Sequence, residues 1–345
     1  MRKIHYFILL TTFFWLSSSY AQTIRIKAVG DIMLGSVTPR QVVPKNASVF
    51  AEAIGEHLSG ADITFGNLEG VFITNGVKPQ KCSAASRAAK RCYEFGMPDT
   101  LAHVLKDMHF SVVSMDNNHN SDYGYQGVSH TKKTLDTLGI LYAAKKKPII
   151  FECNGKKIGF IAFGHSSISY HVSRLSIVEN VITELNKKCD LVIVSFHGGA
   201  EGFSAQHIYN KKETYYGEDR GNLIQFAHTA IDAGADLIIG HGPHVLRGVE
   251  LYKEKLIMYS LGNFLTHGNV NITGVKGIGA IMDINIDLNT GNFVDGNIIA
   301  SKQEGFGVPT YDDTMRAVTV IKDLSISDFP LSPLSFSSTG YISKK

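Results

Sequence analysis

The chain has 345 residues, 44% of them hydrophobic and 19% charged, with a formal charge of +3. That balance excludes a nucleic-acid partner recruited by bulk charge. The length suits one large α/β domain or two small ones.

In chain order, residues 1–21 read as a signal peptide. Arg2 and Lys3 precede the apolar run Tyr6–Leu16, and Ser19 and Ala21 sit where a small-residue cleavage site needs them. The run is too short to span a bilayer; its other reading is an uncleaved anchor that keeps the protein membrane-associated. Cleavage leaves one domain, residues 22–345, periplasmic or extracellular, and removes two of the positive charges. Four cysteines, Cys82, Cys92, Cys153 and Cys189, are an even number in an exported chain. Cys82 and Cys92 close a short loop and form the favoured pair. Cys153 and Cys189 either pair or stay as thiols.

Short β-branched runs then alternate with amphipathic segments. Strands are expected at Ile24–Gly30, Ile63–Gly66, Phe110–Met115, Lys157–Gly164, Leu191–Phe196, Asp236–Gly240 and Lys255–Phe264. Helical spacing falls at 49–58, at 99–108 with Asp99 as N-cap, at 128–138, and at 222–234 ending on Gly234. Segments 279–288 and 292–300 read as an antiparallel pair about an Asn289–Gly291 turn. Apolar strands separated by helices imply an α/β fold with helices covering the sheets. Residues 300–345 keep apolar side chains among scattered Pro and Ser and are expected to pack on the domain.

The polar residues cluster at strand ends. Asp31 follows the first strand, Asn67 and Glu69 the second, and Asp116, Asn117, Asn118 and His119 the third. His197 and Glu201, then His241 and His244, then Asn263 follow later ones. In open α/β sheets ligands sit beyond such ends. One such Asp is ordinarily a turn residue and one such His a structural side chain; six ends carrying them together point to a metal site. Carboxylate, imidazole and amide oxygen suit Zn, Mn or Fe. Two such ions can clamp the attacking and leaving oxygens of a phosphate ester, and amide hydrolysis is chemically open. The sequence lacks a GxSxG elbow and a Walker loop, which removes support for covalent acyl and nucleotide-motor chemistry.

The segments AVGDIMLG, FGNLEG, NNHNSDYGYQG, SFHGGAE, GADLIIGHGPHV and LIMYSLGNF, in that order, resemble the capsule synthesis protein CapA family. These are the poly-γ-glutamate synthesis proteins of the metallophosphatase superfamily, and the resemblance runs closely from Ile24 to Phe264. It implies a calcineurin-like metallophosphoesterase four-layer sandwich, two mixed β-sheets flanked by helices. It implies one or two divalent ions (Mn, Zn or Fe) on Asp31, Glu69, Asn118, His197, His241 and His244. His119 would be the general acid or transition-state donor. Asn67, Asp116, Asn117, Glu201 and Asn263 would support the ligands or touch substrate. The chain departs from the superfamily pattern at Met33, where the first motif usually has His, and at Asn67, where the second usually has Asp. Gly242 stands where the family often has His, and Asp116 where it often has Ala. The first two changes weaken metal binding and favour one ion or a weaker second site.

Lys78, Lys81, Arg87, Lys90 and Arg91 lie in KPQKCSAASRAAKRC, with no acidic residue among them. They form either a solvated face or an electropositive arm for an anionic polymer such as poly-γ-glutamate or an acidic glycan. Two functions follow. One is a metal-dependent hydrolase-like enzyme on such a polymer; the other is a non-catalytic binding or export factor with a degenerate site, working beside other capsule proteins.

Overall fold

Ile24, Ile26 and Ala28 alternate along the strand Thr23–Met33 and turn one face inward. They join Ile158, Phe160, Ile193 and Ile239 in one core, so two sheets face each other. Burying each large aliphatic side chain there contributes about 1.5–3 kcal/mol. The computed structural model describes residues 22–345, so the expected signal peptide lies outside them.

The larger sheet has ten strands and the smaller has seven. The larger is centred on Thr23–Met33, which pairs in parallel with Ile63–Leu68 and Asn263–Thr266 and antiparallel with Ile278–Asp287. The smaller is built around Lys156–Gly164, Leu191–His197 and Leu237–His241, all parallel neighbours. Helices cover both outer faces. Phe50, Ile54, Leu105 and Leu135 pack with Val29 and Ile32 on one side. Val178, Ile182, Phe226 and Ala230 pack with Val192 and Ile238 on the other. The result is the α/β four-layer arrangement of two mixed sheets between helices. Among the described residues no helix is long and apolar enough to cross a membrane.

Several expected elements change in detail. Lys255–Phe264 is not one strand. Lys255–Met258 stays in the smaller sheet, and Asn263–Thr266 belongs to the larger. The chain crosses between sheets over Tyr259–Gly262, where Gly262 takes φ +64°. Gly30 is needed at this crossing, because a Cβ there would lie 2.0 Å from the Gly262 carbonyl oxygen. The 49–58 helix becomes an α-helix, Ser48–Ile54, and a 3₁₀ turn, Gly55–Leu58. Asp99 caps nothing; its carboxylate pairs with His130 at 3.0 Å. The 128–138 helix begins earlier, at Gly124. Leu223–Asp232 is capped by Asn222, whose side chain accepts from the Gln225 amide. Leu175–Asn186 and Arg316–Asp328 are further helices. In the C-terminal segment, Tyr341–Lys344 adds to the larger sheet against Phe293–Glu304.

Candidate functional site

Parallel register builds the floor. It sets Asp31 beside Asn67 on one side and Asn263 on the other. In the smaller sheet it sets His197 beside His241. The pairing of Thr23–Met33 with Ile63–Leu68 shifts between Ala28 and Asp31, an irregularity that re-aims side chains.

A turn then carries His244 across from the smaller sheet. Gly242 takes φ +117° and His244 φ +57°, a left-handed conformation that costs a non-glycine residue about 1–3 kcal/mol. His244 Nδ1 reaches Asp31 Oδ2 at 2.9 Å and Asn263 Oδ1 at 3.0 Å. Its Nε2 lies 3.7 Å from Glu69 Oε1 and 3.9 Å from Glu201 Oε2. Asp31, Glu69 and His244 each offer one ligand atom, all within 4.8 Å of one another.

This group calls for positive charge. Both Glu69 oxygens are buried without a hydrogen-bond partner. Burial, with the Asp31 charge beside it, pushes the Glu69 carboxyl up to about 8. Burial opposes a charge on His244, but Glu69, Asp31 and Glu201 outweigh it and push its pKa up to about 10. Burial makes a charge on Glu69 costly, and the carboxylates around His244 favour a positive charge at the same place. Orphaned carboxylate oxygens beside an imidazole fit a divalent cation.

A chain of amides fixes the neighbours. Asn117 Nδ2 donates to the Leu68 carbonyl at 2.8 Å and to Asn67 Oδ1 at 3.0 Å. With its oxygen so used, Asn67 turns its Nδ2 to Asp31 Oδ1 at 2.8 Å and to His197 Nδ1 at 3.4 Å. Asn117 Oδ1 accepts from the His119 amide at 3.0 Å. His119 Nδ1 donates to Asp122 Oδ2 at 2.7 Å, and its Nε2 faces Glu69 Oε1 at 4.0 Å. Burial holds His119 below its ordinary pKa. With Nδ1 turned to Asp122, Nε2 is the ring nitrogen that faces the site.

Above the floor opens a cleft of about 670 Å³, lined by Glu69, His119, Glu201 and His244 at its base. Arg40, Arg87, Lys90 and Lys276 also line it, with Tyr93 and Phe95. The bacterial capsule synthesis protein PGA_cap family matches over residues 25–267.

The chain belongs to that family. Over 92% of its length it is 29% identical to the PGA biosynthesis protein CapA of Bacillus subtilis (strain 168), covering 84% of that protein. Over 69% of its length it is 28% identical to the capsule biosynthesis protein CapA of Bacillus anthracis, covering 58% of that protein. A purple acid phosphatase from yellow lupin superposes with a TM-score of 0.40 at 11% identity, over 88% of this chain and 56% of that one. A superposition of that quality leaves the site to be read from its own residues.

Of the residues the family motifs single out, Asp31, Glu69 and His244 come together. Asn118 Oδ1 is buried without a hydrogen-bond partner. His197 and His241 stand outside the triad. Asn67 Nδ2 lies 3.4 Å from His197 Nδ1 and His241 Nε2 bonds the Val29 carbonyl at 3.1 Å, while His197 Nε2 and His241 Nδ1 are buried without a partner. Asp116 does not line the cleft; it bonds Ser169 and is pushed up to about 6 by burial. Glu201 does line it and pairs with Arg220 at 3.0 Å. Asn117 and Asn263 serve as hydrogen-bond supports.

His119 Nδ1 lies 2.7 Å from Asp122 Oδ2, which leaves Nε2 as the ring nitrogen that faces the site. Gly242 is forced by packing, since a Cβ there would meet the Gly198 carbonyl oxygen at 2.5 Å. The basic loop also divides. Arg87 and Lys90 line the cleft, although Arg87 is paired with Glu94 at 2.6 Å. Lys81 instead donates to the Asn118 carbonyl, and Arg91 is exposed away from the lining. Cys82 and Cys92 are disulfide-bonded; Cys153 and Cys189 are unpaired. Sequence reading missed Asp122, although it lies three residues after His119 in the same motif. It also missed Arg40 and Lys276, which reach the cleft from distant segments and carry no local signal.

Proposed function

We propose that the cleft is a metal-assisted hydrolytic centre of an exported capsule-family protein, acting on an ester or amide link of an anionic polymer such as poly-γ-glutamate or an acidic glycan. One observation carries this reading: Asp31, Glu69 and His244 converge within 4.8 Å under a basic rim. These three residues, with Asn118 Oδ1, would hold the ion. A divalent ion bound there supplies Lewis acidity toward water and a substrate oxygen.

The chain's own residues account for the proton traffic. His119 Nε2 takes a proton from the attacking water as the new bond to phosphorus or carbon forms. It returns that proton to the leaving oxygen or nitrogen as the old bond breaks. Asp122 keeps the ring aimed. Arg40, Lys90 and Lys276 offset polymer charge along the rim.

A second reading is a polymer clamp without turnover. Asn67 favours it, since its amide donates to Asp31 and His197 where a bridging carboxylate would serve two ions. The deciding experiment strips the protein with chelator, reloads it with Mn, Zn or Fe, counts bound ions, and assays p-nitrophenyl phosphate and polyglutamate. The hydrolase reading expects one ion per chain and turnover reduced roughly 100-fold or more in His119→Ala. An ion with no turnover supports the clamp; no ion at all ends both.

Export is part of the proposal. The apolar run at Tyr6–Leu16 supports it, as does the Cys82–Cys92 disulfide, a bond that persists in oxidising compartments. N-terminal sequencing of the protein from its native host should begin at Gln22. A membrane-bound form beginning at Met1 would make the run an anchor.

A further inference from the structure

The loop from Gln80 to Phe95 has little to anchor it. Its helix, Ala84–Ala88, contains no buried residue. Yet both ends of the loop grip one residue, Asp122. At the first end, the Gln80 and Lys81 amides donate to the Asp122 carbonyl at 2.8 and 3.3 Å. Lys81 Nζ donates to the Asn118 carbonyl at 2.8 Å and pairs with Asp122 Oδ1 at 3.1 Å. At the other end, the Phe95 amide donates to Asp122 Oδ2 at 2.7 Å. The Phe95 ring lies 4.4 Å from the His119 ring.

The Cys82–Cys92 disulfide joins the two ends. Next to it, the Cys82 amide donates to Glu94 Oε1 at 2.8 Å, and Glu94 in turn holds Arg87. The loop is thus closed by a covalent bond and an ion pair rather than by apolar packing. Asp122 is fully buried, so its orientation depends on the groups that surround it. The carboxyl has three contacts: the Lys81 ion pair and the Phe95 amide come from this loop, and the third is His119 Nδ1.

We propose that Lys81 and the Cys82–Cys92 cross-link are positioning elements for His119, acting through Asp122. The closed loop fixes the Asp122 carboxyl so that the His119 proton stays on Nδ1 and Nε2 faces the cleft. The assignment rests on His119 being the proton acceptor of the proposed function, but its test requires no turnover.

The test uses full-length, metal-free protein labelled with ¹⁵N-histidine. Long-range ¹H–¹⁵N spectra distinguish a ring protonated on Nδ1 from one protonated on Nε2. Wild-type protein should show His119 as one tautomer, protonated on Nδ1. Lys81→Met, and wild-type protein reduced with a phosphine, should each lose that single-tautomer signature while retaining a cooperative thermal transition. Lys81→Arg should keep the signature, because it restores the cation. An unchanged His119 tautomer in both Lys81→Met and the reduced protein overturns the proposal. So does loss of the cooperative transition in both, which would make the loop a general structural brace. Absence of hydrolytic activity in wild-type protein alters neither outcome, so failure of the proposed function is read separately.

Discussion

Asn67 sets the local chemistry of the site. Its Nδ2 donates to Asp31 and His197, and its Oδ1 is held by Asn117. Asn67→Asp would put a carboxylate oxygen against Asp31 and leave His197 without its donor. We expect the metal-free variant to lose about 1–3 kcal/mol of stability. Added Mn should restore part of it and raise the bound ions from one to two per chain. Urea melts with and without Mn, beside metal analysis, check this; a variant as stable as wild type in chelator would contradict it. The triad predicts a further contrast. His244→Ala should lose metal occupancy, whereas His119→Ala should keep it, since His244 is one of the three converging residues and His119 Nε2 stands 4.0 Å from Glu69 outside that group. Equal loss in both, read by metal analysis after dialysis, would contradict these roles. Glu69 and His244 were legible from motif and position. Asp122 was not, because a carboxylate three residues after a histidine reads as a turn until the ring is seen to point at it.

At the level of elements, the site depends on two turns that glycine makes possible. Gly242 packs its Cα on the Gly198 backbone at φ +117°, and this places His244. Gly242→Ala should therefore cost about 1–3 kcal/mol in urea melts and weaken metal binding with it. Unchanged stability and affinity would mean that the turn relaxes without moving His244. The second turn, Tyr259–Gly262, takes the chain from one sheet to the other and brings Asn263 beside Asp31. The run KLIMYSLGNF reads as one strand because its apolar character is continuous. The first half joins strands close to it in sequence, Leu237–His241 and Val249–Tyr252, whereas the second joins Thr23–Met33, more than two hundred residues earlier. Strand existence and helix faces were legible from periodicity. The early start at Gly124 and the 3₁₀ turn at Asp99 were not, since both answer to tertiary contacts rather than to local propensity.

At the scale of the whole molecule, packing two sheets together buries an unusual set of imidazoles. His119, His165, His197 and His241 are held below their ordinary value, by burial first of all. His165 is lowered to about 3. A depressed folded-state pKa means that the unfolded chain takes up the proton first. The contribution of His165 is therefore present above about pH 6.5 and is lost as pH falls from there toward 3. Glu69 and Asp116, raised by burial to about 8 and about 6, act in the opposite direction, so the total pH curve mixes both signs. Comparison with His165→Gln isolates the histidine. The stability advantage of wild type over this variant, measured by urea melts, should shrink between pH 6.5 and 4. A constant difference across that range would mean that His165 is solvated and titrates normally.

The family, the α/β class, the existence of the main strands and the residue types gathered at their ends are legible in the linear chain. These are local properties: hydrophobic periodicity, turn chemistry and short motifs survive without knowledge of partners. Tertiary structure decided which of those residues meet. Parallel register put Asp31 between Asn67 and Asn263, and a left-handed turn brought His244 across from the other sheet. The amide chain from Asn117 set which atoms face the ligand group, and burial set the charge each imidazole carries. Those outcomes depend on distances between segments that are remote in sequence, and on water excluded by packing, neither of which a linear pattern encodes.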